Sequence, residues 1–452
     1  MNGRPTLSVP PLTPSRIRPM TRLFTALPAA ALVTLAGLAA PASAQDQVAI
    51  RAGKIHTLSD GVIENAVILI ENGVITAVGK DVEVPWNAKV VDAKEHVVMP
   101  TWILAHASGG MSGSNEQMAN VPFLTVLDAI DPSSTWFEEC LRNGVGAMHV
   151  IPGNNTLLGG KGMIVRPFGK TVEDMTIRDR GGMKVSLDAP RGTSRMAQIR
   201  KLRNALQDGM DAKADLERQK AEFAKEKEAG ATDKDEFDGE LDDMKKPVVD
   251  LIDGKVTGFL YVPSAAEIPE VQRLRETYPD MKLVLVLGGR TWKAADRIAA
   301  LGLPVVLDDG AIEVVERDPE TGDEETVCPP KVLADAGVEF AISISDNTGA
   351  TSRYPWWQMA SMIRHGVDRE TAIRSLSTVP AKILGLEGQF GTVAVGKVAN
   401  LQVLTGDPIQ ATTWVDTVLL EGEVVYERSK DPRLQLLFGD NAGGTETGGA
   451  EK

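Results

Sequence analysis

Apolar and polar positions alternate with a period of two in the first patterned stretch of the chain. Residues 48–55 and 66–70 read as strands, and Glu71-Asn72-Gly73 leads into a third at 74–78. An Asn-Gly pair between two β-rich runs predicts a tight hairpin, because both residues accept positive φ at little cost. A matching pattern returns near the C-terminus, at 391–393, 399–404, 415–420 and 424–426. Two β-rich ends this short bury little alone. They are expected to join into one composite β-sandwich domain, 45–98 with 389–437.

Between the ends the period changes. Apolar runs at 144–151, 258–262, 283–287, 304–307 and 340–345 suit buried parallel strands. Helix-like segments at 136–143, 268–278, 292–301, 330–336 and 360–366 flank them. Repeated βα units across 99–388 predict an α/β fold, a (β/α)8 TIM-like barrel. A charged insert at 196–248 interrupts it. There Leu202, Leu206 and Met210 share a helical face, and two exposed helices around Gly230-Ala231-Thr232 are expected. The Gly/Thr/Glu-rich tail, 438–452, reads as disordered.

Composition narrows the function. Of 452 residues 43% are apolar, which excludes a wholly disordered chain. The net charge is −14, and the first 44 residues hold four arginines and no acid, so the remainder carries −18. A surface this acidic repels phosphate backbones, which argues against a nucleic-acid partner. Arg16, Arg18 and Arg22 precede an apolar run from Leu23 to Ala40 that ends in Ala42-Ser43-Ala44. This reads as an export signal over 1–44, starting at Met1 or Met20, and predicts an exported, periplasmic protein with no membrane segment after cleavage. Cys140 and Cys328 are too few for a disulfide framework, and their pairing is left open.

Several segments together resemble the amidohydrolase superfamily, in its imidazolonepropionase-like branch. They are Val97–Ser108 (VVMPTWILAHAS), Asp128-Ala129-Ile130-Asp131-Pro132, Thr378–Leu386 (TVPAKILGL) and Gly396–Leu401 (GKVANL). The resemblance implies a barrel with a composite β-domain and hydrolysis of a non-peptide carbon–nitrogen bond. It also implies one or two divalent ions such as zinc, held by histidines at the barrel mouth. An aspartate after the last barrel strand, here Asp346, would serve as ligand and general base.

The ligand pattern itself is mostly absent. His106 keeps its place, but Ser108 stands where a second histidine is expected, and Leu104 where an aspartate is. Tyr261-Val262-Pro263 replaces a His-x-His, and Leu287-Gly288-Gly289 replaces another histidine. Of five histidines, only His106 and His149 fall near barrel-strand ends. A weak metal site of His106, Asp346 and His149 competes with hydrogen-bonded structural roles for the two rings. Asp308-Asp309 offers a carboxylate pair at the barrel mouth, or a helix cap. Tyr261 and Trp356 are the expected substrate-binding aromatics, with core packing the alternative for Trp356. Three functions follow: a hydrolase with a reduced site, an inactive relative that binds a ligand or partners an active homologue or itself, and metal-free chemistry on Asp346, His106 and the Asp308-Asp309 pair.

Overall fold

A computed structural model describes residues 47–230, 232, 234–308, 311–344 and 353–439. The export signal expected at 1–44, Asp309, Asp346 and residues 440–452 of the tail lie outside the described residues. Four strands open the chain: β1 (Gln47–His56), β2 (Val62–Glu71), β3 (Val74–Gly79) and β4 (Lys89–Pro100). The β2–β3 turn is the predicted one, with Asn72 at φ 51° and Gly73 at φ 78°. The stretch read as one strand from 97 onward is divided. β4 ends at Pro100, which has no N–H to continue a ladder. Thr101 then donates to Asn400 O (3.1 Å) and Trp102 to Gly144 O (2.8 Å). Within two residues the chain passes from one sheet to the other.

The barrel sheet runs β5 (Trp102–Ala107), β6 (Val145–Val150), β7 (Leu158–Val165), β8 (Thr176–Ser186), β9 (Gly258–Ser264), β10 (Leu283–Arg290) and β11 (Val305–Leu307). A hairpin, β12 (Val314–Arg317) with β13 (Glu324–Val327), stands apart, and β14 (Phe340–Ile342) completes the sheet as its eighth strand. The strands are parallel except β7, which is antiparallel to both neighbours. Its connections, 151–157 and 166–175, are shorter than the dozen residues a crossover needs.

Helices α1 (Thr135–Arg142), α2 (Val172–Met175), α3 (Arg195–Glu228), α4 (Lys246–Ile252), α5 (Ile268–Thr277), α6 (Ala295–Leu301), α7 (Pro329–Asp335), α8 (Pro355–Arg364), α9 (Arg369–Arg374) and α10 (Thr378–Ile383) surround the strands. The charged insert differs from the expected pair of exposed helices. α3 is one long helix that buries Leu202 and Leu206. The described part of the return segment, 234–245, forms no helix, with Gly239 and four aspartates among its residues. It touches α3 through the Phe237 ring, 5.8 Å from that of Phe223, and α4 packs back with Val248 against Gly209 of α3.

The C-terminal strands β15 (Leu401–Leu404), β16 (Val415–Leu420) and β17 (Glu423–Glu427) join the first four, and α11 (Pro432–Phe438) follows. The order is β17-β16-β15-β4-β1-β2-β3, with Met99 of β4 opposite Gln402 of β15. The composite domain is one continuous sheet that curls on itself. Ala399 donates to Gly73 O and Ile75 to Lys397 O (both 2.8 Å), closing over a core of Ile50, Ile68, Val98, Leu401 and Leu419. Among the described residues no helix is long and apolar enough to cross a membrane.

Candidate active site

The C-terminal ends of the parallel strands meet at the barrel mouth, where this architecture collects reactive groups. β5 brings His106, β8 brings Lys184, β9 brings Tyr261, and Asp308 follows β11 directly. Lys184 Nζ lies 2.7 Å from His106 Nε2, and both side chains are buried. The other ring nitrogen, Nδ1, faces Asp308 Oδ1 at 3.8 Å. Asn154 Nδ2 donates to Asp308 Oδ2 (2.7 Å) and orients that carboxylate. Lys184 Nζ also stands 5.6 Å from the Tyr261 ring centroid.

Burial sets the protonation states. It pulls the Lys184 amine down from 10.5 to about 7, against the opposing pull of Asp308. Burial first, then the Lys184 charge, holds His106 well below its usual value, so the ring is neutral. With Nε2 accepting from Lys184, its single proton is assigned to Nδ1, on the Asp308 side. The Tyr261 hydroxyl is pushed up by burial and by Asp308, Asp188 and Glu267, so it stays protonated. Gly288 makes room for it: a Cβ there would sit 3.0 Å from the Tyr261 hydroxyl oxygen and 2.8 Å from Pro263 O. Glycine thus replaces the expected histidine at a point where the chain passes close to Tyr261.

His149 stands apart from this acid–base group. Its Nδ1 donates to Ala105 O at 3.0 Å, and its ring lies 4.3 Å from the Phe259 ring. Nε2 has no partner among the described residues and is enclosed by Gly162 and Gly181. Burial drives its pKa down to about 3. The ring is a neutral packing element.

Trp356, the other expected binding aromatic, lines a different cleft of about 340 Å³ together with Trp102 and Trp414. Tyr261 does not line that cleft. Sequence reasoning missed Lys184, and Asn154 with it.

The described donor set does not fit the divalent ion implied by the resemblance. His106 Nε2 is taken by Lys184, and His149 Nε2 is enclosed by glycines. Among the described residues no group of three His, Cys, Asp or Glu side chains converges. A metal needs several neutral donors on one point, and an ammonium against the one available imidazole opposes that.

A model of the amidohydrolase family matches residues 332–426, from α7 into β17. The imidazolonepropionase of Maricaulis maris (strain MCS10) is 26% identical over 148 residues, 32% of this chain and 37% of that protein. An amidohydrolase from Thermotoga maritima MSB8 has the same fold, with a TM-score of 0.71 at 23% identity over 84% of this chain and 100% of that one. A prolidase complexed with N-methylphosphonate-L-proline reaches a TM-score of 0.50 at 17% identity, over 84% of this chain and 100% of its own. With the motifs at both ends of the barrel and the sheet shared between the termini, the chain has the amidohydrolase fold and is similar in sequence to that superfamily over part of its length.

Proposed function

We propose that the protein hydrolyses a carbon–nitrogen bond other than a peptide bond, using the Asp308–His106–Lys184 group without a metal ion. The observation that carries this is the 2.7 Å contact between a buried lysine of lowered pKa and a neutral histidine whose far side faces a carboxylate. Groups poised near neutrality are the ones that move protons at working pH.

Asp308, the least buried of the three, takes the proton of a water whose oxygen attacks the carbonyl carbon. The protonated Tyr261 hydroxyl donates to the oxyanion that forms. As the C–N bond breaks, the nitrogen takes the proton from Asp308, leaving the acid and the amine. His106 and Lys184 keep Asp308 ionised between turnovers. In this reading the protein is exported after loss of residues 1–44.

A second reading is an inactive relative that binds a ligand, or pairs with an active homologue or with itself. It is favoured by the same lysine, whose amine supplies a built-in positive charge where the family carries an ion.

The test is a panel of amides, lactams and N-acyl amino acids, with metal content measured by elemental mass spectrometry. Turnover that drops at least about a hundredfold in both Asp308→Asn and Lys184→Met supports the proposal. Loss in Asp346→Asn with Asp308→Asn unaffected would move the base to Asp346. Stoichiometric metal that disappears in His106→Ala and Asp346→Ala would overturn metal-free chemistry. No turnover and no metal would favour the second reading.

A further inference from the structure

The cleft lined by Trp356 lies away from the barrel mouth. Trp102 is the first residue of β5 and His106 the fifth, about 13 Å further along at 3.3 Å per residue. The cleft opens between the C-terminal end of α1, the N-terminal end of α8 and β15, with Trp102, Trp356 and Trp414 among its walls.

Its aromatic walls are held in place before any ligand arrives. The Arg428 guanidinium stacks 5.6 Å from the Trp414 ring, and Phe438 meets that ring edge-on at 6.3 Å. Trp357 meets Trp356 edge-on at 5.7 Å. Such fixing lowers the ordering cost of binding. Trp414 nevertheless keeps 41% of its surface exposed, which is a large apolar face to leave against water.

The polar groups at the cleft are planar and electrically balanced. Arg142 pairs with Asp431 at 2.7 Å, and Arg353 pairs with Glu139. Asn143 adds an uncharged amide, while that of Gln402 lies buried beneath the cleft and donates to Pro100 O. With its charges neutralised in pairs, the cleft offers little to an ionic ligand. It suits a molecule with apolar ring faces and a rim of uncharged hydroxyls, since indoles take the faces and planar amide, carboxylate and guanidinium edges take the rim. A volume of about 340 Å³ is of the size ligand pockets have.

We propose that this cleft is a saccharide-binding site, taking a pyranose ring across Trp356 and Trp414, independent of the reaction at the barrel mouth.

The experiment is isothermal titration calorimetry of the purified protein with maltose, cellobiose, N,N'-diacetylchitobiose and indole as probes. Saturable heat is expected with at least one disaccharide. Trp414→Ala and Trp356→Ala are each expected to weaken it at least about tenfold, with Trp414→Phe restoring part of it. Lys184→Met, at the barrel mouth, is expected to leave it unchanged, which separates this site from the proposed catalytic one. Melting temperatures check that each variant folds. The proposal is overturned if no disaccharide binds, if indole alone does, or if folded Trp414→Ala and Trp356→Ala proteins bind as the parent does.

Discussion

Lys184 has no exposed surface, yet it carries an amine at the centre of the barrel mouth. Its pKa is about 7 when folded, against 10.5 for an ordinary lysine, so unfolding takes up a proton between those limits. Stability therefore rises with pH through that window. The cost of the buried charge is fully present below about pH 7 and gone above the ordinary lysine value. Lys184→Met removes this dependence. Its melting temperature is expected to exceed that of the parent by most near pH 6, with the gap narrowing toward about pH 10. Calorimetric scans across that range check it, and a gap that stays constant would show that this amine does not titrate there. His106 was legible because it stands in the Val97–Ser108 segment, and Tyr261 because it stands where a histidine is expected. Lys184 was not. Its strand, β8, runs through Arg178-Asp179-Arg180-Gly181-Gly182 and shows no apolar run, so nothing in the sequence marks the lysine as buried.

At the next scale, the strands seen in the sequence are the apolar and β-branched runs, and the ones missed are β7, β8 and the β12–β13 hairpin. β7 reads Leu-Gly-Gly-Lys-Gly-Met-Ile-Val, which by composition is a loop. The glycines are there because neighbours press on them. A Cβ at Gly160 would meet Leu124 O at 2.9 Å, and one at Gly159 would meet Lys184 Cβ at 3.0 Å. Gly162 is tighter, with His149 Nε2 at 2.4 Å and Val150 O at 2.8 Å from the added carbon. Gly162→Ala is expected to lower stability by about 1–3 kcal/mol, since neither a backbone oxygen nor an enclosed ring yields easily. Urea unfolding measures it, and an unchanged midpoint would refute the tight packing around His149. The hairpin at Asn72-Gly73, by contrast, was readable because its two positive φ angles are written in residue type.

Across the whole molecule, the barrel and the curled sheet belong to one compact unit, and Asp431 fastens them. Its carboxylate accepts from Arg142 Nε of α1 at 2.7 Å and from the Tyr426 hydroxyl of β17 at 3.2 Å. It also caps α11 through the Arg433 N–H at 2.9 Å. Asp431→Ala leaves Arg142 without this partner and α11 without its cap, at an expected cost of about 3 kcal/mol. Hydrogen exchange is expected to quicken in α11 more than in β1 to β3, and uniform protection would contradict the role. The pairing of the two termini was legible from their matching strand patterns. The fastening was not, because Arg142 and Asp431 are 289 positions apart.

That separation has a counterpart in β4, whose outer edge is completed only by β15. Gln402 reaches back across 302 positions to donate to Pro100 O. A ribosome adding about 5–20 residues per second needs about 15–60 s to cover that distance, whereas a hairpin such as β2–β3 forms in about 1–10 μs. The first four strands are therefore complete, and adhesive along one edge, for most of the time the chain is being made. A nascent chain halted before residue 401 presents that edge to its neighbours on the same message, so slow or interrupted translation favours strand exchange between copies over the closed sheet.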